Sequence, residues 1–408
     1  MNAISAIDPF ALNLRHLRAV AMVVQTGSIS SAAERINLSQ PALTQGITKL
    51  EAQIATKLFE RSSRGMEATA AGHLLAARAD EAIAHLAEGL RPIRRGGAGF
   101  AQAERLVTTS QLRSLLALAD AGSYVSAALQ TGLSQPAVHR AVRDIERLAG
   151  APLVERRGRG IGLTEAGHRV ARGLRLAVSA ISSGLADIAE LAGERAGAIT
   201  VGAMPMARAR LLPEAMARLH HTDPQIAMQV VEGAHRELID QLRDGRIDIA
   251  LGALREVLPG PDVVQTPLFT AQLSIVARAD HPLILSGASD LASLAGYPWI
   301  LAGRNTPLEA QWQQLFASIP PPPAPIECGS VMTIRGLLLA GDYLTLLSPD
   351  QIWVEVELGL LGLIGPPIPG SGRVIGMTTR ADWLPTATQR RFLELIEIVA
   401  QEGVQENQ

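Results

Sequence analysis

A polar helix face in the first third of the chain has side chains of the types that read DNA bases. Leu43, Ile47 and Leu50 recur at i, i+4 and i+7, which predicts one buried face of a helix that runs to about Ile54. The opposite face would carry the amide and hydroxyl groups of Gln40, Thr44, Gln45 and Thr48. Such groups hydrogen-bond base edges in the major groove, so this face is a candidate DNA-reading surface.

A second helix repeats the arrangement with more basic side chains. Val138, Val142 and Ile145 predict its buried face. The exposed set is Gln135, His139, Arg140 and Arg143, and arginine at such positions suits phosphate or guanine contacts. Pro41 and Pro136 belong to the first turns of the two helices, where a missing N–H costs little, and we include both among the residues expected at DNA.

An internal repeat contains both helices. The stretch GSISSAAERINLSQPAL at residues 27–43 returns as GSYVSAALQTGLSQPAV at residues 122–138, and the offset of 95 residues continues without a gap to Gly72-His73 and Gly167-His168. A fixed period of this kind indicates one structural unit present twice. Each copy is predicted to have three helices, with Ser39 capping the third helix of the first copy.

A basic hairpin and a long helix follow each third helix. Residues 58–65 and 153–160 combine a hydrophobic pair with arginine and glycine, which predicts a wing whose tip arginines, Arg64 and Arg159, reach phosphates or the minor groove. Long Ala- and Leu-rich helices are expected at about 70–90 and 165–191, capped by Thr69 and Thr164. Their apolar stripes suit pairing with another helix. Whether both units touch DNA stays open.

Charge, cysteine content and missing motifs limit the remaining functions. Residues 1–195 hold 23 Lys and Arg against 17 Asp and Glu, a formal charge of +6, which leaves −8 for residues 196–408. A basic half is typical of contact with a polyanion. One cysteine, Cys328, excludes an intrachain disulfide. Without a signal peptide or a long apolar run we expect a cytoplasmic protein with no membrane contact.

Catalysis is not expected. The nine histidines have no metal-ligand spacing, and no Gly-x-Ser-x-Gly, Walker or dinucleotide motif occurs, so we predict no enzyme, cofactor or metal site. The missing glycine fingerprint also disfavours a Rossmann-type enzyme.

In the repeated residues of its first half, the sequence resembles the LysR-type transcriptional regulators. The resemblance is carried by Gly27-Ser28, the Ser39–Ala42 stretch, Leu58-Phe59, Arg64-Gly65 and the second copy's Leu163–Gly167. It implies a multidomain chain with two all-α winged helix-turn-helix units followed by an α/β, two-lobed, periplasmic-binding-protein-like effector domain. Family members ordinarily have one winged unit, so the duplication leaves the assembly open. Gly46 also departs from the family pattern and costs about 1 kcal/mol of helix propensity.

The expected boundaries follow from the repeat and the change of pattern near Gly197. We assign winged units to residues 12–72 and 106–167, linkers to 73–105 and 168–195, and the effector domain to 196–408. Within that domain, lobe I would comprise residues 196–267 and 374–408, and lobe II residues 268–373. Strands alternate with helices in lobe I, including a helix that starts at Pro213, so a parallel sheet is expected.

The resemblance also locates a ligand cleft between the lobes. Residues expected at the effector are Met204, Pro205, Met206, Ala253, Ser330, Met332 and Thr333. Simple core packing is an equal alternative for the three methionines. Backbone N–H groups at the helix starts could hold an anion, and the implied effector is a sugar or an organic or aromatic acid. Double-stranded DNA, RNA polymerase and further copies of the chain, as dimer or tetramer, are the other implied partners.

One alternative comes from a different functional class. The chain could be a small-molecule binding protein whose helical N-terminal half serves only oligomerisation. The basic first half and the two wings speak against it.

Overall fold

A computed structural model describes residues 4–62, 65–91, 100, 102–158, 160–195, 197–303 and 306–406. The predicted wing arginines Arg64 and Arg159 lie outside these residues. No helix in the described ranges is long and apolar enough to cross a membrane.

The first unit has three helices and a hairpin. They are α1 (Leu14–Thr26), α2 (Ile29–Arg35), α3 (Gln40–Ile54), β1 (Phe59–Ser62) and β2 (Gly65–Ala68). Side chains cap three helix starts: the Asn13 oxygen accepts from Arg15 N–H, Ser28 from Ser31 N–H and Ser39 from Ala42 N–H. The helix α4 (Ala70–Gly89) follows, capped by Thr69 as predicted.

Local packing explains why glycine occupies position 46. A Cβ at this position would lie 2.9 Å from Cδ2 of His16, so the imidazole of α1 fills the space that a larger residue would need. The helix propensity lost at Gly46 is therefore offset by the contact between α3 and α1.

The second unit repeats these elements. They are α5 (Thr109–Ala121), α6 (Tyr124–Thr131), α7 (Gln135–Ala149), β3 (Val154–Arg157), β4 (Gly160–Leu163) and α8 (Glu165–Leu191). Gly122 ends α5 with a positive φ of 64°, as Gly27 ends α1 with 65°. Both units and the two long helices share one hydrophobic core.

Lobe I of the C-terminal domain is built on a five-stranded sheet. Its first elements in chain order are β5 (Ala198–Ala203), α9 (Leu211–Thr222), β6 (Ala227–Glu232), α10 (His235–Arg243), β7 (Ile249–Ala253) and β8 (Val263–Ala271). The fifth strand, β14 (Arg373–Arg380), comes after lobe II, and the strand order is β6-β5-β7-β14-β8. The expected parallel sheet holds for β5, β6 and β7 only. Strand β14 runs antiparallel to both of its neighbours, so the sheet is mixed.

Two expected bounds in lobe I differ from the structure. Helix α9 begins at Leu211 rather than at Pro213, because proline is accepted within the first turn of a helix. Strand β8 continues through Ala271, beyond the expected lobe boundary at residue 267, because it pairs with β14 as far as Arg373.

Lobe II contains smaller sheets and short helices. Its elements are β9 (Ser274–Arg278), α11 (Pro282–Ser286), α12 (Leu291–Ala295), β10 (Ile300–Leu301), α13 (Pro307–Leu315), β11 (Ile326–Glu327), α14 (Val331–Ala340), β12 (Thr345–Leu347), α15 (Trp353–Glu357) and β13 (Leu361–Ile364). Strands β12, β9 and β13 form an antiparallel sheet. The chain then returns through β14 to lobe I and continues into α16 (Ala387–Glu406).

Candidate nucleic-acid interface and effector cleft

The first reading helix presents its polar face to solvent. Leu43, Ile47 and Leu50 are buried, as their spacing predicts. The side chains on the other face are exposed, namely Gln40, Pro41, Thr44, Gln45 and Thr48. Lys49 and Ala52 line the same surface. Lys49 was not among the predicted residues, although its position next to Thr48 signals a positive charge at the edge of this face.

Gln40 is held in place before any ligand arrives. Its Nε2 donates to Ser30 Oγ at 2.5 Å, which links α3 to α2. In the second copy, Val125 stands at the position of Ser30 and Gln135 at the position of Gln40. Val125 has no side-chain group that could accept a hydrogen bond from Gln135. The two glutamines therefore start from different local environments.

The second reading helix exposes a basic face. Gln135, Pro136, Arg140 and Arg143 are exposed, while His139 is half-buried. The imidazole of His139 stacks on the Tyr124 ring with a centroid distance of 3.6 Å and an interplanar angle of 13°. One ring face of His139 is therefore covered, and its ring edge and other face are the parts left for a ligand.

Each wing is tied to its reading helix by a glutamate. Glu51 Oε1 accepts from Leu58 N at 2.8 Å, and Glu146 Oε1 accepts from Leu153 N at 2.9 Å. On the other side of each hairpin, Thr69 and Thr164 donate to backbone carbonyls at 2.8 Å. The position of each wing relative to its helix is thus set by matching hydrogen bonds in both units.

The predicted effector residues of lobe I have unequal surroundings. Met204 is 6% exposed and packs with Leu238 and against Gly252, so its side chain lies in a core. Pro205 is exposed, and Met206 and Ala253 are half-buried. The side chains of Pro205 and Met206 are thus accessible to a ligand, whereas that of Met204 is buried and packs in the core.

The predicted residues of lobe II lie at the start of α14. Ser330 caps this helix by accepting from Thr333 N at 3.4 Å. Met332 is 71% exposed, and Thr333 is also exposed.

The two lobes also meet through residues that the sequence did not indicate. The short helix Pro205–Ala207 packs against Pro349–Gln351. The Arg210 guanidinium of lobe I lies 5.2 Å from the ring centroid of Trp353 in lobe II. No spacing rule connects residues 143 positions apart, so only the folded chain reveals this contact.

A basic group lies at the carboxyl edge of the lobe I sheet. His235 starts α10 directly after β6, and its buried Nε2 has no hydrogen-bond partner among the described residues. Burial, with a contribution from Arg255, lowers the pKa of His235. The lowered pKa favours the neutral imidazole, which can hydrogen-bond a ligand through Nε2, while the Arg255 guanidinium supplies the positive charge for an anion.

Ion pairs join lobe I to the second winged unit. Asp120 at the end of α5 bonds to Arg175 at 2.7 Å and also to Arg246 of lobe I. Asp244 of lobe I accepts from Arg172 of α8 at 2.9 Å. The C-terminal domain therefore contacts the second unit, and it also meets α4, where Arg78 Nη1 donates to the Leu384 carbonyl at 2.7 Å.

Models of two protein domains match the chain. The LysR substrate binding domain matches residues 192–400. The model of the bacterial regulatory helix-turn-helix protein, lysR family, matches residues 14–73 and, a second time, residues 109–168.

Curated relatives match most of the chain. The HTH-type transcriptional regulator GalR of Pseudomonas putida is 31% identical over 400 residues, which cover 97% of this chain and 99% of that protein. The HTH-type transcriptional regulator PcaQ of Agrobacterium fabrum is 26% identical over 293 residues, covering 71% of this chain and 94% of PcaQ.

Solved structures share the fold. A full-length OxyR variant from Pseudomonas aeruginosa gives a TM-score of 0.53 at 23% identity, covering 72% of this chain and 94% of OxyR. ArgP from Mycobacterium tuberculosis gives 0.54 at 18% identity, covering 71% of this chain and 96% of ArgP.

Proposed function

Since the chain belongs to the LysR family of bacterial transcriptional regulators, we propose that both of its winged units read promoter DNA, one half-site each. The chain is a DNA-binding transcriptional regulator with an effector-binding domain, and it is not an enzyme. The observation that carries the proposal is the exposed polar face present on α3 and again on α7.

A single chain would thereby span two half-sites about one helical turn apart, the spacing usual for paired helix-turn-helix units. The matching Glu51 and Glu146 bonds support this, because they give both units the same wing position. A second unit kept only for packing would not need an exposed face with Arg140 and Arg143.

Footprinting with the full chain tests the proposal. Gln40→Ala and Gln135→Ala should each weaken protection at a different half-site. Gln53→Ala is the matched control, because this exposed residue of α3 donates to the Ala11 carbonyl instead of belonging to the reading face. Unchanged protection after either reading-face substitution would make that unit a structural one.

We propose that the effector is a small anion, of the organic or aromatic acid class, bound between the lobes. His235 with Arg255 supports this choice, together with the helix start at Ser330. A carboxylate would gain attraction from the Arg255 guanidinium that a neutral sugar would not gain. Titration of a panel of carboxylic acids and sugars by calorimetry, with His235→Gln as the variant, would separate the two classes. Tight sugar binding unaffected by His235→Gln would refute the anion assignment.

The proposed regulation includes contact with RNA polymerase and assembly of further copies of the chain. Transcription in vitro with purified polymerase, with and without the effector, tests the first. The alternative in which the N-terminal half serves only oligomerisation predicts that no genomic fragment is shifted, with or without metabolites.

A further inference from the structure

We infer that α4 and α8 form a built-in dimer interface that is specific for unlike helices, so that one chain engages both half-sites in one fixed orientation. This inference rests on the proposed function in one respect: both units must contact DNA. What it adds is the stoichiometry and the asymmetry of the DNA that the chain recognises.

The first step is the geometry of the helix pair. A Cβ on Gly89 of α4 would lie 3.0 Å from Cα of Gly173 in α8, and a Cβ on Gly184 would lie 3.1 Å from Cβ of Arg78. The helices therefore run antiparallel. The 95-residue offset relates Gly89 to Gly184 and Arg78 to Gly173. Exchanging the two units converts one contact into the other, so an approximate two-fold axis crosses the pair.

The segments ahead of the two units follow the same symmetry. The short helix Pro9–Ala11, which precedes the first unit, packs on α8 and α5. The short helix Ala103–Arg105, which precedes the second unit, packs on α4. Ile4 N in the first segment also donates to the Glu194 carboxylate at 3.1 Å. Each leading segment thus crosses to the other unit, and the units are joined at more than one place.

The second step is the specificity of the pair. Arg78 is 6% exposed, and its Nε donates to Asp187 Oδ2 at 2.9 Å. The repeat places Gly173 at the position of Arg78 and Pro92 at the position of Asp187. Two copies of α4 would therefore lack the acid of the partner helix and leave Arg78 with only Glu81 of its own helix. Two copies of α8 would lack the base. Only the α4–α8 combination pairs Arg78 with Asp187, and exchange for a like helix removes one member of this buried pair.

The third step is the difference between the reading faces. The repeat aligns Gln45 and Thr48 with Arg140 and Arg143. Arginine is the usual partner of guanine, whereas amides and hydroxyls suit other base edges. Since the pair holds one face of each kind, the DNA must contain two unlike half-sites, with guanine under the second unit. The chain then binds in one direction, with lobe I on the guanine side, where Arg246 contacts Asp120.

Selection of duplexes from a random-sequence pool by the full chain tests the inference. The expected consensus has two different half-sites centred about ten base pairs apart, with guanines in one of them. Arg140→Gln combined with Arg143→Thr, which installs the residues of the first copy, should alter only the guanine half. A palindrome of two equal halves, or a single half-site, would overturn the inference while leaving DNA binding intact. Failure to enrich any sequence would instead refute the proposed function.

Native mass spectrometry with the selected duplex measures the stoichiometry. At saturating duplex we expect one duplex per chain, whatever number of chains associate. One duplex per two chains would contradict the inference.

Charge reversal at Arg78 distinguishes the pairing of α4 with α8 from the contact of each unit with DNA. Arg78→Glu should lower affinity for the two-half-site duplex at least tenfold and change affinity for a single half-site less than twofold. If Arg78→Glu does not fold, Arg78→Met replaces it, because methionine keeps the apolar stem. Arg78→Met should also lower affinity for the two-half-site duplex more than affinity for the single half-site. Equal losses on both duplexes, or no loss on either, would overturn the inference.

Discussion

Removing the charge of Arg78 should destabilise the N-terminal half of the chain strongly. The Arg78 side chain is 8% exposed and that of Asp187 10%. Arg78 Nη1 also donates to Glu81 Oε2 at 3.1 Å and to the Leu384 carbonyl at 2.7 Å. Burial raises the pKa of Asp187, and Arg78 counteracts part of that rise. Loss of one partner from a buried ion pair costs about 3–5 kcal/mol, and Arg78→Met should fall in this range.

The assay can follow the two halves of the chain separately. All four tryptophans lie in the C-terminal half, at positions 299, 312, 353 and 383. Tryptophan fluorescence therefore reports the unfolding of the effector domain, while the loss of helical circular dichroism also reports the winged units. Urea titration should show the Arg78→Met transition shifted in circular dichroism and much less shifted in fluorescence.

Two further variants make the result decisive. Arg91→Met removes a charge from an exposed pair, with Arg91 72% and Glu88 62% exposed, and should cost less than about 1 kcal/mol. Arg78→Met combined with Asp187→Leu should regain stability over the single variant, because Asp187 is then no longer a buried acid without its base, and Glu81 keeps His85 as a neighbour. A single-variant loss below about 1 kcal/mol, equal to the control, would refute the argument that this pair is buried and holds the helices together.

Three other outcomes follow from the structure. Gly173→Leu should separate α4 from α8 and reduce both stability and DNA affinity, because even a Cβ would lie 2.6 Å from the His85 carbonyl oxygen. Urea titration and gel shift measure the two effects. Gly336→Leu is the control, because a Cβ at that position has nothing within 4 Å. Burial lowers the pKa of His281 below 6.5, so the unfolded chain takes up a proton that the folded chain resists, and the fluorescence-monitored stability should fall between about pH 7 and pH 5. His281→Asn should lessen that fall, whereas replacement of the exposed His221 should leave it unchanged. Affinity for DNA should drop steeply with salt as counterions are displaced, and a flat affinity from low to moderate salt would contradict phosphate contact by the basic unit.

Local features of the winged units could be predicted from the sequence because their causes are local. Periodicity placed the buried faces of α3 and α7, and Thr69 and Thr164 mark the starts of the long helices. The half-buried stack of His139 on Tyr124 was missed, because it joins two helices through side chains that have no periodic relation.

Contacts between distant segments could not be predicted in the same way. The apolar stripes of the long helices indicated pairing with some helix, but they did not indicate which one. The contacts that join α4 to α8 include the bond between Arg78 and Asp187, 109 residues apart. In the C-terminal domain the alternation of strands and helices indicated a parallel sheet. The antiparallel β14 escaped that reasoning because its neighbours β7 and β8 are fixed only when the chain returns from lobe II.

Directed cleavage of DNA from each unit tests the central claim most directly. Cys328→Ser removes the single cysteine, and Lys49→Cys or Asp144→Cys, equivalent positions of the repeat, then carries an iron chelate beside one reading face. If both units read DNA from one chain, the two derivatives should cut the selected duplex at places about ten base pairs apart. Cuts at the same place from both derivatives, or cutting by only one of them, would contradict the account.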